Sequence, residues 1–197
     1  MSTVRSHMTM SLDGYIAQPD DQIGELFEWY EAGDVSIPTP NEYIPEFTVD
    51  AASASFLREL VDDCGAVVVG RRLFDIADGW GDKHPVDAPV VVVTHHPPED
   101  AAERWPNTTF VVDGVAAAIE RAGQIAGAKD ITIASANVAQ QALALGLVDE
   151  VCVSLVPVLF GEGIPYFSVL DTGHLLLEDP RVVQGKRAVH LCYPVRK

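Results

Sequence analysis

Two short runs, Ala66 to Val69 and Pro89 to Thr94, are apolar at nearly every position, and Thr108 to Val112 and Asp130 to Ala134 are mostly apolar runs that read as further strands. A strand of that kind buries both of its faces. Segments of helical period lie beside them. Ala51 to Asp63 sets Phe56, Leu57, Leu60 and Val61 on one face and is stopped by Cys64-Gly65, Val115 to Ala126 is rich in alanine, and Val138 to Leu145 follows the fourth run. Doubly buried strands that alternate with helices require a parallel sheet covered by helices. Thr3 to Met10, closed by Asp13-Gly14, reads as a first strand ending in a turn. After Gly146 the rhythm changes. Val148 to Val156 reads as a strand, Pro157 to Pro165 as a loop, and Leu175 to Val183 and Ala188 to Val195 as strands with no room for a helix between them. The expected fold is a three-layer α/β domain over residues 1–197, with a mostly parallel central sheet and an antiparallel C-terminal edge.

Between Gln18 and Asp50 the chain holds four prolines, many acids and no Lys or Arg. This predicts an irregular lid or binding loop with one short helix near Glu25 to Tyr30. A chain of 21.3 kDa can bury about 70% of its unfolded surface without metals or cross-links, and 48% hydrophobic against 21% charged residues excludes disorder as the main state. Thirteen Lys and Arg against 29 Asp and Glu leave a net charge of −16. With the cations scattered, that charge excludes a nucleic-acid or anionic-membrane partner. No apolar stretch approaches the roughly 18 to 20 residues that span a bilayer, and Met1 to Ser11 lacks a signal-peptide core, so a cytoplasmic location is expected. Cys64, Cys152 and Cys192 are odd in number and far apart, and they read as buried free thiols without a functional role.

Ligands of parallel sheets bind outside the carboxyl ends of the strands, so the strand-end residues are the candidates. Gly70-Arg71-Arg72 puts two guanidinium groups where a helix begins, an arrangement suited to phosphate; the alternative is a solvated pair bonded to acids such as Asp75 and Asp78. Thr94-His95-His96 offers hydroxyl and imidazole groups to a ribose or phosphate, or simply caps its strand. Its two histidines point to opposite faces and cannot easily chelate one metal. Ala134-Ser135-Ala136-Asn137 joins strand to helix with small residues, which admit a phosphate or merely ease packing. Asp13 is a turn former or a catalytic carboxylate. GxSxG, HExxH, P-loop and GxGxxG motifs are all missing, which removes the reactions they serve.

In order, the segments MSLDGYIAQPD (10–20), VVVGRRLFDIADGWGD (67–82), PVVVVTHHP (89–97), ITIASANVAQQALALGLVDE (131–150) and VPVLFGEGIPYF (156–167) resemble the dihydrofolate-reductase-like reductases typified by the C-terminal reductase domain of bifunctional riboflavin biosynthesis enzymes. The resemblance is to stand-alone bacterial members. It implies a dihydrofolate-reductase-like fold, NADPH as hydride donor, a homodimer, and a small-molecule substrate that is pterin-like or a ribosylaminopyrimidine such as 5-amino-6-(5-phosphoribosylamino)uracil. By the same likeness Gly70, Arg71 and Arg72 would meet the 2′-phosphate or pyrophosphate, and Thr94, His95 and His96 the adenine ribose. Ser135, Ala136, Asn137 and Val138 would hold the pyrophosphate, Thr9, Ile16 and Ala17 would border the nicotinamide, and Asp13 would fix the turn beside them. This chain departs from the pattern at Ala134-Ser135, where the family has Gly-Gly, and at Leu73, where dihydrofolate reductases proper have Thr. A Cβ at a loop position of positive φ would weaken cofactor binding. The rival reading is therefore a nucleotide-binding or structural homodimer that has lost catalysis. Glu59, Asp62 and Asp63 are the candidates for an active-site acid in the helix Ala51 to Asp63.

Overall fold

The computed structural model describes residues 2–168 and 173–196. The chain opens with β1 (Val4–Ser11) and β2 (Tyr15–Ala17), then a 3-10 helix (Gly24–Glu31) and a hairpin of β3 (Val35–Pro38) and β4 (Glu46–Val49). Next come α1 (Ala51–Asp63), β5 (Cys64–Gly70), α2 (Arg71–Ile76), a 3-10 turn (Asp78–Asp82), β6 (Val90–Val93), α3 (Ala101–Arg104) and β7 (Thr108–Val111). The C-terminal part holds α4 (Val115–Ala126), β8 (Asp130–Ile133), α5 (Ala136–Ala144), β9 (Glu150–Val156), β10 (Ile164–Pro165), β11 (Arg181–Gln184) and β12 (Val189–Pro194).

Eight strands form one sheet in the order β11-β12-β9-β1-β8-β5-β6-β7. All neighbours from β9 to β7 are parallel, and β12 and β11 add the antiparallel edge. The expected architecture holds. Successive residues of β5 supply opposite layers: Ala66 and Val68 pack under α4 and α5, whereas Val67 and Val69 pack with Phe74 of α2 and Trp105. No helix among the described residues is long and apolar enough to cross a membrane.

Beneath α1 the sheet carries an unusual load. Alternate residues of β1, β9 and β12 place Arg5, His7, Thr9, Cys152, Ser154, His190 and Cys192 on that face, all buried. Hydrogen bonds run in series from His7 Nε2 to Ser154 Oγ (2.9 Å), on to His190 Nδ1 (2.9 Å), and from His190 Nε2 to Ser53 Oγ (3.0 Å). Ser53 donates to Asp50, which caps α1. The stacked Phe56–His190 pair, 4.2 Å between centroids, closes the row.

Two expectations need correction. Cys152 and Cys192 are not free: they stand opposite each other in the β9–β12 register, with Cα atoms 4.1 Å apart, and form a disulfide. Only Cys64 is a buried free thiol. The strand expected over Leu175 to Val183 shrinks to β11, because Pro180 has no N–H to donate, and upstream of it only the isolated bridge Leu177–Val195 pairs.

The segment 18–50 is better ordered than its prolines suggest. The buried side chain of Asn41 donates to the carbonyls of Trp80 (2.8 Å) and Lys83 (2.6 Å) and accepts from the amides of Tyr43 and Ile44, pinning the β3–β4 hairpin to the turn after α2. Leu26 and Trp29 are fully buried, and Trp29 donates to Thr9 Oγ1 at 3.3 Å.

Candidate active site

The carboxyl ends of β5, β6 and β8 bring three turns together. Gly70 ends β5 with an ordinary negative φ of −83°, and its place is a close approach rather than a special conformation: a Cβ there would stand 3.0 Å from Ser135 Oγ, which would have to shift, and 3.6 Å from Val138 Cγ2. Ser135 is the N-cap of α5 but makes no capping bond with its side chain, leaving the first amides of that helix open. Its φ of −163° is extended backbone, and neither Ala134 nor Ser135 has a positive φ. The departure from Gly-Gly is therefore accommodated without backbone strain.

Arg71 Nε donates to Asp75 (2.7 Å) and its Nη1 to the His96 carbonyl, which places one guanidinium between the β5 and β6 turns. Arg72 donates from Nε and Nη2 to both oxygens of Asp21, at 2.7 to 3.0 Å, and so holds the start of the lid. Thr94 Oγ1 accepts from the amide of His96 at 3.2 Å, and both histidines are exposed. Ala136 and Val138 are buried in the core, so only their backbone can face a ligand, while Asn137 is exposed and accepts from Gln141.

Thr9, Ile16 and Ala17 belong to β1 and β2, and Ile16 packs in the same core as Ala136 and Val138 of α5. Thr9 sits beneath Trp29, and buried Ala17 pairs with Ile164 of β10. Gly163 makes that pairing possible, since a Cβ there would lie 2.3 Å from the Ala17 carbonyl oxygen. Asp13 accepts from Ser11 Oγ (2.6 Å) and from the amides of Phe160 (3.2 Å) and Gly161 (2.7 Å). The Ser11 hydroxyl foremost, then the Gly161 and Phe160 amides, hold this carboxyl below its usual range. Asp13 is thus a carboxylate whose accepted hydrogen bonds position the β9–β10 loop.

Sequence reasoning missed the cavity beside Ala17. It measures about 310 Å³ and is lined by Gln18 and Pro19 after β2, Glu25 of the 3-10 helix, and residues 158–160 and Glu162 of the β9–β10 loop. Its advance signals were the lid or binding loop expected from Gln18 to Asp50, which supplies Gln18, Pro19 and Glu25, and the segment 156–167, which carried part of the resemblance but no assigned role.

Comparison with solved structures supports the fold. A Shewanella sp. PV-4 protein assigned to riboflavin biosynthesis matches with a TM-score of 0.68 at 21% identity, covering all of both chains. RibD from Acinetobacter baumannii matches at 0.65 and 16% identity over all of this chain and 58% of its own. The Saccharomyces cerevisiae riboflavin biosynthesis reductase Rib7 matches at 0.61 and 11% identity over 99% of this chain and 90% of its own. A comparison with curated proteins found no match. The model of one family, the RibD C-terminal domain, matches residues 2–191 and so takes in all three strand-end turns, the lid and the cavity loop. The chain therefore belongs to the RibD C-terminal domain family.

Proposed function

We propose that the chain is a reductase that holds NADPH across the ends of β5, β6 and β8 and reduces a small heterocycle placed near β2. The convergence of the Gly70, Thr94–His96 and Ser135 turns carries this reading. Gly70 keeps two turns close, the open amides at the start of α5 suit a pyrophosphate, and Arg71 supplies a guanidinium whose present partners are an exposed carboxylate and a carbonyl. When bound, the cofactor supplies the hydride. In this reading Arg71 and Arg72 take the 2′-phosphate, Thr94, His95 and His96 the adenine ribose, and Ser135 to Val138 the pyrophosphate. Ile16 and Ala17 border the nicotinamide, with Thr9 behind them under Trp29. Asp13 shapes the neighbouring loop through the hydrogen bonds it accepts from the Phe160 and Gly161 amides.

Isothermal titration of NADPH and NADH into wild type and the Arg71→Ala, Arg72→Ala double variant tests the assignment. Loss of charge-assisted phosphate contacts costs about 1.5 to 3 kcal/mol, tenfold or more in NADPH affinity, with NADH much less affected. The ion pairs removed are surface pairs worth at most about 1 kcal/mol, so the variant stays folded. Equal losses for both cofactors would sink the 2′-phosphate role. No NADPH binding by the wild type would favour the non-catalytic homodimer.

The same reading expects a homodimer. The edge strand β11 exposes Val182 to 56% and the segment before it exposes Leu176 to 55%, and exposed strand edges invite pairing. Light scattering should return about twice the chain mass of 21.3 kDa at micromolar concentration. A mass near that of one chain throughout would remove the dimer.

A further inference from the structure

Resting on that reading, we infer that Asp21 sets how tightly the chain takes a 2′-phosphate, its carboxylate occupying the Arg72 guanidinium as an internal competitor. Arg72 Nε and Nη2 donate to both oxygens of Asp21 at 2.7 to 3.0 Å. This two-pronged geometry is the one a guanidinium also offers to a phosphate, so one partner excludes the other. The acid is the better covered of the two, with its side chain 24% exposed against 68% for Arg72. The Asp21 amide donates to the Gln18 carbonyl (3.0 Å) and the Gln18 amide to the Gln22 carbonyl (2.8 Å), closing a tight turn in which Asp21 takes a left-handed φ of 69°. That turn presents the carboxylate to the start of α2, where the cofactor phosphate is placed.

Arg71 is placed differently. Its partners are Asp75 of its own helix and the His96 carbonyl, so a phosphate reaching Arg71 displaces nothing from the lid. A phosphate reaching Arg72 must first release Asp21. The freed carboxylate would find no cation in its own segment, since no Lys or Arg occurs between residues 6 and 57, and would remain as a like charge beside the incoming phosphate. While the pair is closed Arg72 cannot serve, so the apparent NADPH affinity falls in proportion to the fraction of molecules in which Arg72 is free. NADH carries no 2′-phosphate and does not meet this competition. Asp21 is thus a specificity-determining residue that narrows the preference for NADPH over NADH.

The test titrates NADPH and NADH into the full chain as wild type, Asp21→Asn, Asp21→Gly, Arg72→Ala, and Asp21→Asn with Arg72→Ala. Asparagine and glycine both tolerate the left-handed φ, so neither substitution strains the turn. Each Asp21 variant should bind NADPH about fivefold more tightly, the worth of a surface ion pair, with NADH affinity unchanged. Adding Asp21→Asn to Arg72→Ala should gain nothing, because the competition needs both partners. NADPH binding detectable only in the Asp21 variants would support the inference as well. Unchanged or weaker NADPH binding in either variant, an equal gain for NADH, or a gain that persists without Arg72 would overturn it, and the reductase reading would survive such a result wherever the wild type binds NADPH. Absence of NADPH binding in the wild type and in both Asp21 variants would overturn the inference and the reading together.

Discussion

Trp29→Ala should lower the unfolding free energy by about 3 to 5 kcal/mol, read as a lower urea midpoint with little change in slope. Trp29 has no exposed surface, stacks on Tyr30 with centroids 4.0 Å apart, and meets the edge of His190 at 4.8 Å. It thus joins the lid to the sheet and to the C-terminal hairpin. Removing it opens a void at that junction and takes away the indole N–H that Thr9 accepts. Trp29→Phe, which keeps ring volume but no donor, should fall between the two. A cost below about 1 kcal/mol for the alanine variant would show that the lid contributes little to holding the sheet together.

Acidification from pH 7.5 to 5 should destabilise the protein by several kcal/mol through His7, His190 and His84, the last of which burial brings to about 4. Burial foremost, then His190 and Arg5, bring the His7 pKa to about 3. Burial brings that of His190 to about 4, with Asp50 opposing and Arg181 assisting. In the unfolded chain all three titrate near 6.5. Between about pH 4 and 6.5 the unfolded state therefore binds more protons than the folded one, and stability rises with pH. The contribution is complete above about pH 6.5 and is lost progressively as pH falls toward the folded values. At pH 5, 1.5 units below 6.5, each histidine has withdrawn about 2 kcal/mol. Relief of repulsion in a chain of charge −16 acts in the opposite direction but sets in near the carboxylate range, about pH 4. Urea midpoints from pH 7.5 to 5 should slope steeply for wild type and less for His190→Asn. Parallel slopes would show that His190 is not held neutral.

Local pattern accounts for much of what the sequence revealed. The helices read over Ala51 to Asp63 and Val115 to Ala126 coincide with α1 and α4, since their apolar faces are encoded within the segments themselves and Gly127 caps α4. The strand-end turns were legible for a similar reason, because Gly70-Arg71 and Thr94-His95 follow directly on apolar runs. The lid hairpin was not. Asn41 is an ordinary loop residue until it meets carbonyls about 40 positions away. Likewise Cys152 and Cys192 became partners only through the register of strands 40 residues apart. The cavity shares this origin, since Glu25 and Glu162 are brought to one space by the pairing of β2 with β10.

The central place of β1 governs how the chain can reach its fold. Its two sheet neighbours, β8 and β9, begin at residues 130 and 150, so β1 is synthesised more than a hundred residues before either partner. During vectorial synthesis, β5, β6 and β7 can assemble with their helices while β1 waits for partners. The closing step joins contacts separated by well over a hundred residues, which makes it slow. Until then the apolar residues Met8 and Met10 stay uncovered on the nascent chain, where exposed apolar surface favours aggregation.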